Sequence, residues 1–266
     1  MKRVVLVTGA SSGMGRAISL FLSQEGFLVY AGSRTPNKLP TLENLKPIFL
    51  DIRDIKNVEK TLSTIPKIDI LINNAGYGLI STVEDVTEEE MIEQFNVNVF
   101  GLLRVTKCVI PKMRKQKSGV IINISSFLGK IGLPLLTLYN SSKYAVEGIT
   151  DSLRYELRDF NIRVHSILPG FFDTEFARKN IVINEKIKSE KSPYIDTIST
   201  LLPTLIKQIN EGNDVAGIAQ KVFEIIEDEN FYARQTAGDK AKKFIPMKQE
   251  LSDEDFERRV REYYNL

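Results

Sequence analysis

Short runs of apolar, largely β-branched residues punctuate the first two thirds of the chain: Arg3–Thr8, Phe27–Gly32, Pro47–Leu50, Ile68–Asn73, Gly119–Ile124 and Ile162–Ile167. They are apolar almost throughout and show little alternation, which predicts strands covered on both faces, as in a parallel sheet. Between them the spacing predicts helices over Gly13–Glu25, Ile55–Ser63, Thr87–Arg114 and Leu138–Phe160. Thr87-Glu-Glu-Glu90 has the form of a capping box and marks a helix start. Strand–helix alternation of this kind means βαβ units and a doubly wound α/β fold.

Beyond Gly170 the rhythm loosens. Phe171 to about Gln208 mixes apolar and charged residues around Pro193 and Pro203, with no strand pattern. A helix is expected over Asp214–Glu227, and a helical extension over about 239–266 ends in a helix at Ser252–Tyr264 capped by Ser252. No low-complexity linker or repeat divides the chain, so residues 1–266 are read as a single domain.

The first strand runs directly into Thr8-Gly-Ala-Ser-Ser-Gly-Met-Gly15 and then a helix. Glycines at a first βα junction allow a tight turn and close backbone approach, and the helix N-terminus offers free N–H groups to phosphate oxygens. The other reading is an ordinary glycine-rich βα loop. The second strand ends in Ser33 and Arg34, where NAD-preferring domains carry an acidic residue for the ribose hydroxyls. Arg34 can instead pair with a 2′-phosphate, and Ser11, Ser12 and Ser33 add hydroxyl donors, so NADP(H) is expected over NAD(H). Read blandly, Arg34 is a surface loop residue.

Charge and composition narrow the classes. A net charge of +2 makes no electrostatic case for nucleic acid or an acidic membrane, and Lys112-Met-Arg-Lys-Gln-Lys117 reads as the solvated end of a helix. The sole cysteine, Cys108, permits no intrachain disulfide, and with a sole histidine, His165, no metal site is expected. The apolar run Val4–Val7 is far too short for a signal-peptide core, and no stretch approaches a membrane span, so a cytoplasmic protein is expected.

Leu138-Tyr-Asn-Ser-Ser-Lys143 puts a phenol and an ammonium four residues apart on one helical face. Tyr139 could simply bury its ring beside a solvated Lys143. Alternatively, the cation lowers the phenol pKa and readies it for proton transfer near neutrality.

Taken together, these motifs resemble the short-chain dehydrogenase/reductase family. The cofactor loop TGASSGMG, Asn73-Asn-Ala-Gly76, Asn98 in NVFG, Ser126 lying 13 residues before Tyr139, Tyr139-x-x-x-Lys143, and Pro169-Gly170 followed by Thr174 occur in the family's order and spacing. The resemblance covers about residues 3–175. It implies a Rossmann-like domain of about seven parallel strands and hydride transfer between a nicotinamide cofactor and an alcohol or carbonyl. It implies catalytic roles for Asn98, Ser126, Tyr139 and Lys143. Tyr139 would be the general acid, and Ser126 would polarise the carbonyl. Lys143 would tune Tyr139 and bind the nicotinamide ribose, and Asn98 would anchor a water linking Lys143 to solvent. The cofactor would also meet Gly9, Ser11, Ser12, Gly13, Met14, Gly15, Ser33 and Arg34. Asp51 and Ile52 would lie near the adenine, the backbone of Asn74, Ala75 and Gly76 along the cleft, and Pro169, Gly170, Phe172 and Thr174 at the carboxamide.

The family's variable substrate loop falls at about 171–208. It offers Phe171, Phe176, Ile181, Val182, Ile183, Tyr194, Ile195, Leu201 and Leu202, which either cover an apolar substrate or pack the loop onto the domain. Phe231–Lys240 is similar to the C-terminal part of the hydroxysteroid dehydrogenase-like subgroup and implies a lipophilic ketone or alcohol. A homodimer or homotetramer formed through the two long helices is expected. His165 departs from the family's usual small polar residue and reads as a hydrogen-bonded structural group, and Cys108 as a packing residue. The rival function is an NADP(H)-binding sensor that turns nothing over, but sensors of that kind commonly lack the catalytic tyrosine or lysine, and both are present here.

Overall fold

A computed structural model describes residues 2–173, 181–230 and 232–266. The expected strands form as β1 (Val4–Thr8), β2 (Leu28–Ser33), β3 (Leu45–Phe49), β4 (Ile70–Asn73), β6 (Gly119–Ile124) and β7 (Ile162–Pro169). A short β5 (Gly78–Ile80) lies between β4 and β6. The helices are α1 (Gly13–Gln24), α2 (Ile55–Ser63), α3 (Glu88–Phe95), α4 (Leu102–Gln116) and α5 (Thr137–Leu157). Later come β8 (Ile181–Ile183), α6 (Ile195–Asn210), α7 (Ala216–Glu227), β9 (Arg234–Ala237), α8 (Asp239–Glu250) and α9 (Asp253–Tyr264).

The main sheet has seven parallel strands in the order β3-β2-β1-β4-β6-β7-β9. β1, β4 and β6 are buried at every position, which explains why their sequences run apolar without alternation. Ile18, Leu22, Val222 and Ile225 cover one face, from α1 and α7. Leu62, Val105, Met113 and Leu153 cover the other, from α2, α4 and α5. A further core joins Phe127 and Leu168 to Leu201, Leu205, Phe244 and Tyr264, tying α6, α8 and α9 to the C-terminal end of the sheet.

Three departures from the sequence reading matter for the site. The helix expected over Thr87–Arg114 is broken by a π-helical stretch at Asn96–Gly101, which carries Asn98; such turns cluster at functional sites. Thr87 does cap it, with the reciprocal Glu90 bond of a capping box. The stretch expected to lack strand rhythm contains β8, which pairs in parallel with β5 as a separate two-stranded sheet. It also contains α6, which runs through Pro203 because Ile198, Leu201 and Leu205 are buried there; packing outweighs the lost hydrogen bond. Thr174 and Phe176 lie outside the described residues.

Among the described residues no helix is long and apolar enough to cross a membrane. His165 sits buried in β7 with Nδ1 3.1 Å from the Tyr232 carbonyl oxygen, as expected of a structural residue, and burial holds its pKa below the usual value. Lys112 is less solvated than expected, its Nζ donating to the Ile65 carbonyl at 2.7 Å.

Candidate active site

The strand order reverses between β1 and β4, and a crevice opens beyond the carboxyl ends of the strands at such a switch point. Here it is a cleft of about 930 Å³. Its walls are stapled by Thr8: Oγ1 accepts from the backbone N–H of Asn74 at 3.0 Å and of Ala75 at 3.1 Å. Asn74 answers by donating Nδ2 to the carbonyls of Thr8 at 2.9 Å and Gly9 at 3.2 Å. Gly9 has φ +66° and Ala75 presses against it; a Cβ there would stand 2.7 Å from the Ala75 Cα. A side chain is therefore excluded twice, by conformation and by space.

Most of the expected cofactor residues line this cleft: Gly9, Ser11, Ser12, Gly13, Met14, Ser33, Arg34, Asp51, Ile52, Asn74, Ala75, Gly76, Tyr139, Lys143, Pro169, Gly170 and Phe172. Gly15 does not. It sits behind the rim, where a Cβ would come within 2.5 Å of the Gly9 carbonyl oxygen, so its lack of a side chain lets α1 pack against the turn. Asn98 is also absent from the wall. Its Oδ1 accepts from the Tyr77 N–H at 3.0 Å, and Nδ2 donates to the Tyr77 carbonyl at 2.9 Å and Ser142 Oγ at 3.0 Å. Both amide protons are consumed, so the side chain pins the Tyr77 turn and has none left to donate to a water. Thr174 lies outside the described residues.

The chain fits a dinucleotide at this place. Ser12 is the N-cap of α1 yet makes no side-chain capping bond, so its hydroxyl is not engaged by the helix. Ser33 Oγ accepts from the Thr35 N–H at 3.2 Å and keeps its proton to donate. Lys38, which sequence reasoning missed, stands on the cleft wall with Arg34. Asp51 is bound by Arg53 at 2.7 Å, and that bond is the main reason its carboxyl lies below the usual carboxylate range. Arg53 in turn reaches Glu93 at 3.1 Å.

At the other end, Ser126 ends the loop after β6. Its Oγ accepts from the Leu128 N–H at 3.1 Å and is hydrogen-bonded with the Tyr139 phenol. Next to it Ser125 Oγ is buried with no hydrogen-bond partner among the described residues, and it too lines the cleft, a polar group no spacing argument singled out. Lys143 is buried, and its Nζ donates to the Ile124 carbonyl at 2.9 Å while lying 5.8 Å from the centre of the Tyr139 ring. Phenol and ammonium share a face but are not bonded. This corrects the expectation that Lys143 brings the phenol toward neutrality: burial pushes Tyr139 up to about 12, opposed by the Ser126 hydrogen bond. Burial also lowers Lys143, to about 8, against the pull of Glu147.

Beyond Tyr139 the cleft turns apolar. A Cβ on Gly78 would touch the Tyr139 ring at 3.6 Å, so β5 lies against the phenol. Leu79 and Ile80 of β5, Ile181 and Val182 of β8, Leu136, Phe171, and Leu205 and Ile209 of α6 continue the wall. Asn184, at the end of β8, donates to Glu90 at 2.6 Å and fastens the strand to α3. The substrate-loop segment thus supplies Phe171, Ile181 and Val182 to the cleft, whereas Leu201 is buried in the core beneath it.

The family described as short chain dehydrogenase matches residues 3–182. The chain belongs to the short-chain dehydrogenase/reductase family. It is an oxidoreductase that interconverts a carbonyl and an alcohol with a nicotinamide dinucleotide. It is 35% identical over 236 residues to a 3-ketodihydrosphingosine reductase of Bacteroides thetaiotaomicron, covering 86% of this chain and 85% of that one. It is 38% identical over 189 residues to a 3-oxoacyl-(acyl-carrier-protein) reductase of Thermotoga maritima, covering 66% and 77% respectively. A short-chain dehydrogenase from Streptomyces avermitilis superposes with a TM-score of 0.83 at 29% identity, over 100% of this chain and 96% of that one. A short-chain dehydrogenase from Burkholderia cenocepacia in complex with NADP does so with a TM-score of 0.76 at 26% identity, over 98% and 97%.

Proposed function

We propose that this protein is an NADP(H)-dependent reductase of a lipophilic ketone, or dehydrogenase of the matching alcohol, with Tyr139 as the proton-transferring group. The observation that carries this reading is the continuity of one cleft from Arg34 and Lys38, past Tyr139 and Ser126, into the apolar wall of β5, β8 and α6. Bound NADP in the Burkholderia relative and the lipid-type substrate named for the Bacteroides relative support the two ends of it.

The nicotinamide cofactor supplies the hydride, and the chain supplies position and protons. Hydride arrival leaves negative charge on the carbonyl oxygen, so an acid must stand beside it. Tyr139, protonated well past neutrality because of its burial, is suited to give that proton. Ser126, anchored by the Leu128 N–H, directs its hydroxyl at the same oxygen. Lys143 places a positive charge at the ribose end of the site, and Asn98 holds the Tyr77 turn against it. Gly9, Ser11, Ser12, Gly13 and Met14 would hold the pyrophosphate, Asp51 and Ile52 the adenine, and Pro169, Gly170 and Phe172 the carboxamide, with Thr174 retained from the family pattern.

The first test is a panel of methyl ketones with NADPH, read by loss of reduced-cofactor absorbance. Each methylene entering the apolar arm is worth about 0.8 kcal/mol, so kcat/KM should climb roughly threefold to fourfold per carbon until the arm is full. Val182→Glu sets a charge in that wall at a half-exposed position and should flatten the climb. A flat series in the parent protein removes the lipophilic half of the proposal. No turnover with any carbonyl, beside tight NADPH binding, would favour the sensor reading instead.

Assembly follows from the same frame. The α3–α4 and α5 helices leave Ile92, Phe100, Leu103, Tyr144 and Tyr155 exposed, which suits a two-fold homodimer or homotetramer formed through them. Light scattering at micromolar concentration should give twice or four times the chain mass, and Phe100→Glu should lower it; a parent protein that scatters as a monomer contradicts this.

A further inference from the structure

The stripe on α5 that carries Tyr139 and Lys143 continues one turn further to Glu147 and then to Asp151. Glu147 lies outside the motif positions named above. Yet the Glu147 side chain is only 3% exposed, and it follows Lys143 by one turn on the same helical face. Buried carboxylates are rare unless paired. Glu147 Oε2 accepts from Arg234 Nε of β9 at 2.6 Å and lies 3.4 Å from Lys130 Nζ. Its Oε1 is buried without a hydrogen-bond partner among the described residues. The carboxylate is therefore more than a partner shaped for Arg234, because half of it is left unbonded in the interior.

We propose that Glu147 is a positioning residue for the reaction: it is the counter-charge that keeps Lys143 an ammonium in the buried site, with Arg234 and Lys130 setting how much of its charge Lys143 feels. The inference rests on the oxidoreductase reading above for its catalytic meaning, though not for its electrostatics. Lys143 is only 6% exposed at the cleft wall, and among the described residues its Nζ hydrogen-bonds one group, the Ile124 carbonyl. A buried ammonium with so little solvation loses its proton readily. Burial already lowers Lys143 to about 8, and the charge of Glu147 opposes that loss. An ammonium is what the proposed ribose contact requires, so its survival at working pH has to be arranged by the chain.

The surrounding charges are few enough to assign. On α5 itself stand Tyr139 and Asp151, the latter held by Arg234 Nη2 at 2.5 Å. From β9 comes Arg234, and from the turn after Ser126 comes Lys130. β7 offers His165, committed through Nδ1 to the Tyr232 carbonyl. The π-helical stretch offers Asn98, which is uncharged. α3 carries Glu90 and Glu93, engaged with Asn184 and Arg53. Glu147 is the acid in this set that stands one helical turn from Lys143 on the same face, buried as Lys143 is.

The assignment predicts opposite effects from the two partners of one ion pair, which a structural role does not. Lys143 can be followed directly by carbon NMR of protein labelled at lysine Cε, its signal assigned with Lys143→Arg. Glu147→Gln removes the supporting charge and leaves Arg234 and Lys130 facing Lys143, so the titration midpoint should fall by roughly one pH unit. Arg234→Gln releases the full charge of Glu147, so the midpoint should rise. The alkaline limb of kcat/KM for ketone reduction should move in the same two directions. Unmoved midpoints in both variants, or shifts of the same sign, overturn the proposal. If Glu147→Gln does not fold, Glu147→Asp, which keeps the charge but draws it back along the helix face, should shift the Lys143 midpoint, and an unmoved midpoint there overturns the proposal. Midpoints that shift as expected in a protein that reduces no carbonyl would keep the electrostatics and discard the catalytic reading.

Discussion

Tyr139→Phe is expected to lower turnover by roughly a hundredfold or more while leaving NADPH binding nearly intact. The substitution keeps the ring that β5 packs against and removes the one proton that stands beside Ser126. The loss should appear in kcat as well as kcat/KM, because a proton donor acts in the transition state and contributes little to substrate affinity. Lys143→Met should behave differently: it deletes the charge near the phenol and the ribose contact together, so cofactor affinity should fall along with turnover. Tyr144 is the internal control. It is the next residue after Lys143, but it points outward, 46% exposed, so Tyr144→Phe should keep most of the turnover. If Tyr139→Phe reduces a good substrate at the parent rate, the proposed mechanism is wrong, even with fold and family intact.

How much of this could be read from the sequence depends on how local each feature is. β1, β4 and β6 were legible because a strand buried on both faces must be apolar at every position, and their runs say so. β9 was not: Arg234-Gln-Thr-Ala237 is an edge strand whose outer side needs no apolar residue, and it takes its place only because β7 offers a free edge. β5 and β8 are three residues each and are defined by one another across a hundred positions of chain, which no local pattern records. The site divides in the same way. Gly9, Tyr139 and Lys143 could be placed together by spacing within one turn or helix and Ser126 by the family pattern, and all four line the cleft. The bond from Lys143 to the Ile124 carbonyl, the double use of Asn98 on Tyr77, and Lys38 beside Arg34 are meetings between distant elements. The pKa of Tyr139 was misjudged for that reason too: helical spacing shows a cation nearby, while the depth of burial that outweighs it is a property of the whole fold.

Cofactor choice should turn on Arg34. The parent protein is expected to bind NADP(H) more tightly than NAD(H), by the worth of a charge-assisted pair to the 2′-phosphate, about 1.5–3 kcal/mol. That corresponds to roughly tenfold to over a hundredfold in affinity. Arg34 follows Ser33 at the carboxyl end of β2 on the cleft wall, where a carboxylate would instead serve the ribose hydroxyls of NAD. Asp51, the acid closest to that role, is already held by Arg53 and does not stand free to repel a phosphate. Lys38 on the same wall adds a second cation, so Lys38→Met should weaken NADPH by a smaller factor and leave NADH nearly untouched. Arg34→Asp does two things at once: it removes the partner of the phosphate and puts like charge against it, while offering the hydroxyls an acceptor. Its preference should therefore invert, with NADPH affinity falling and NADH affinity rising. Fluorescence titration of both reduced cofactors against the parent and the two variants measures each term. Equal affinities of the parent protein for NADPH and NADH would remove Arg34 from the recognition of the cofactor.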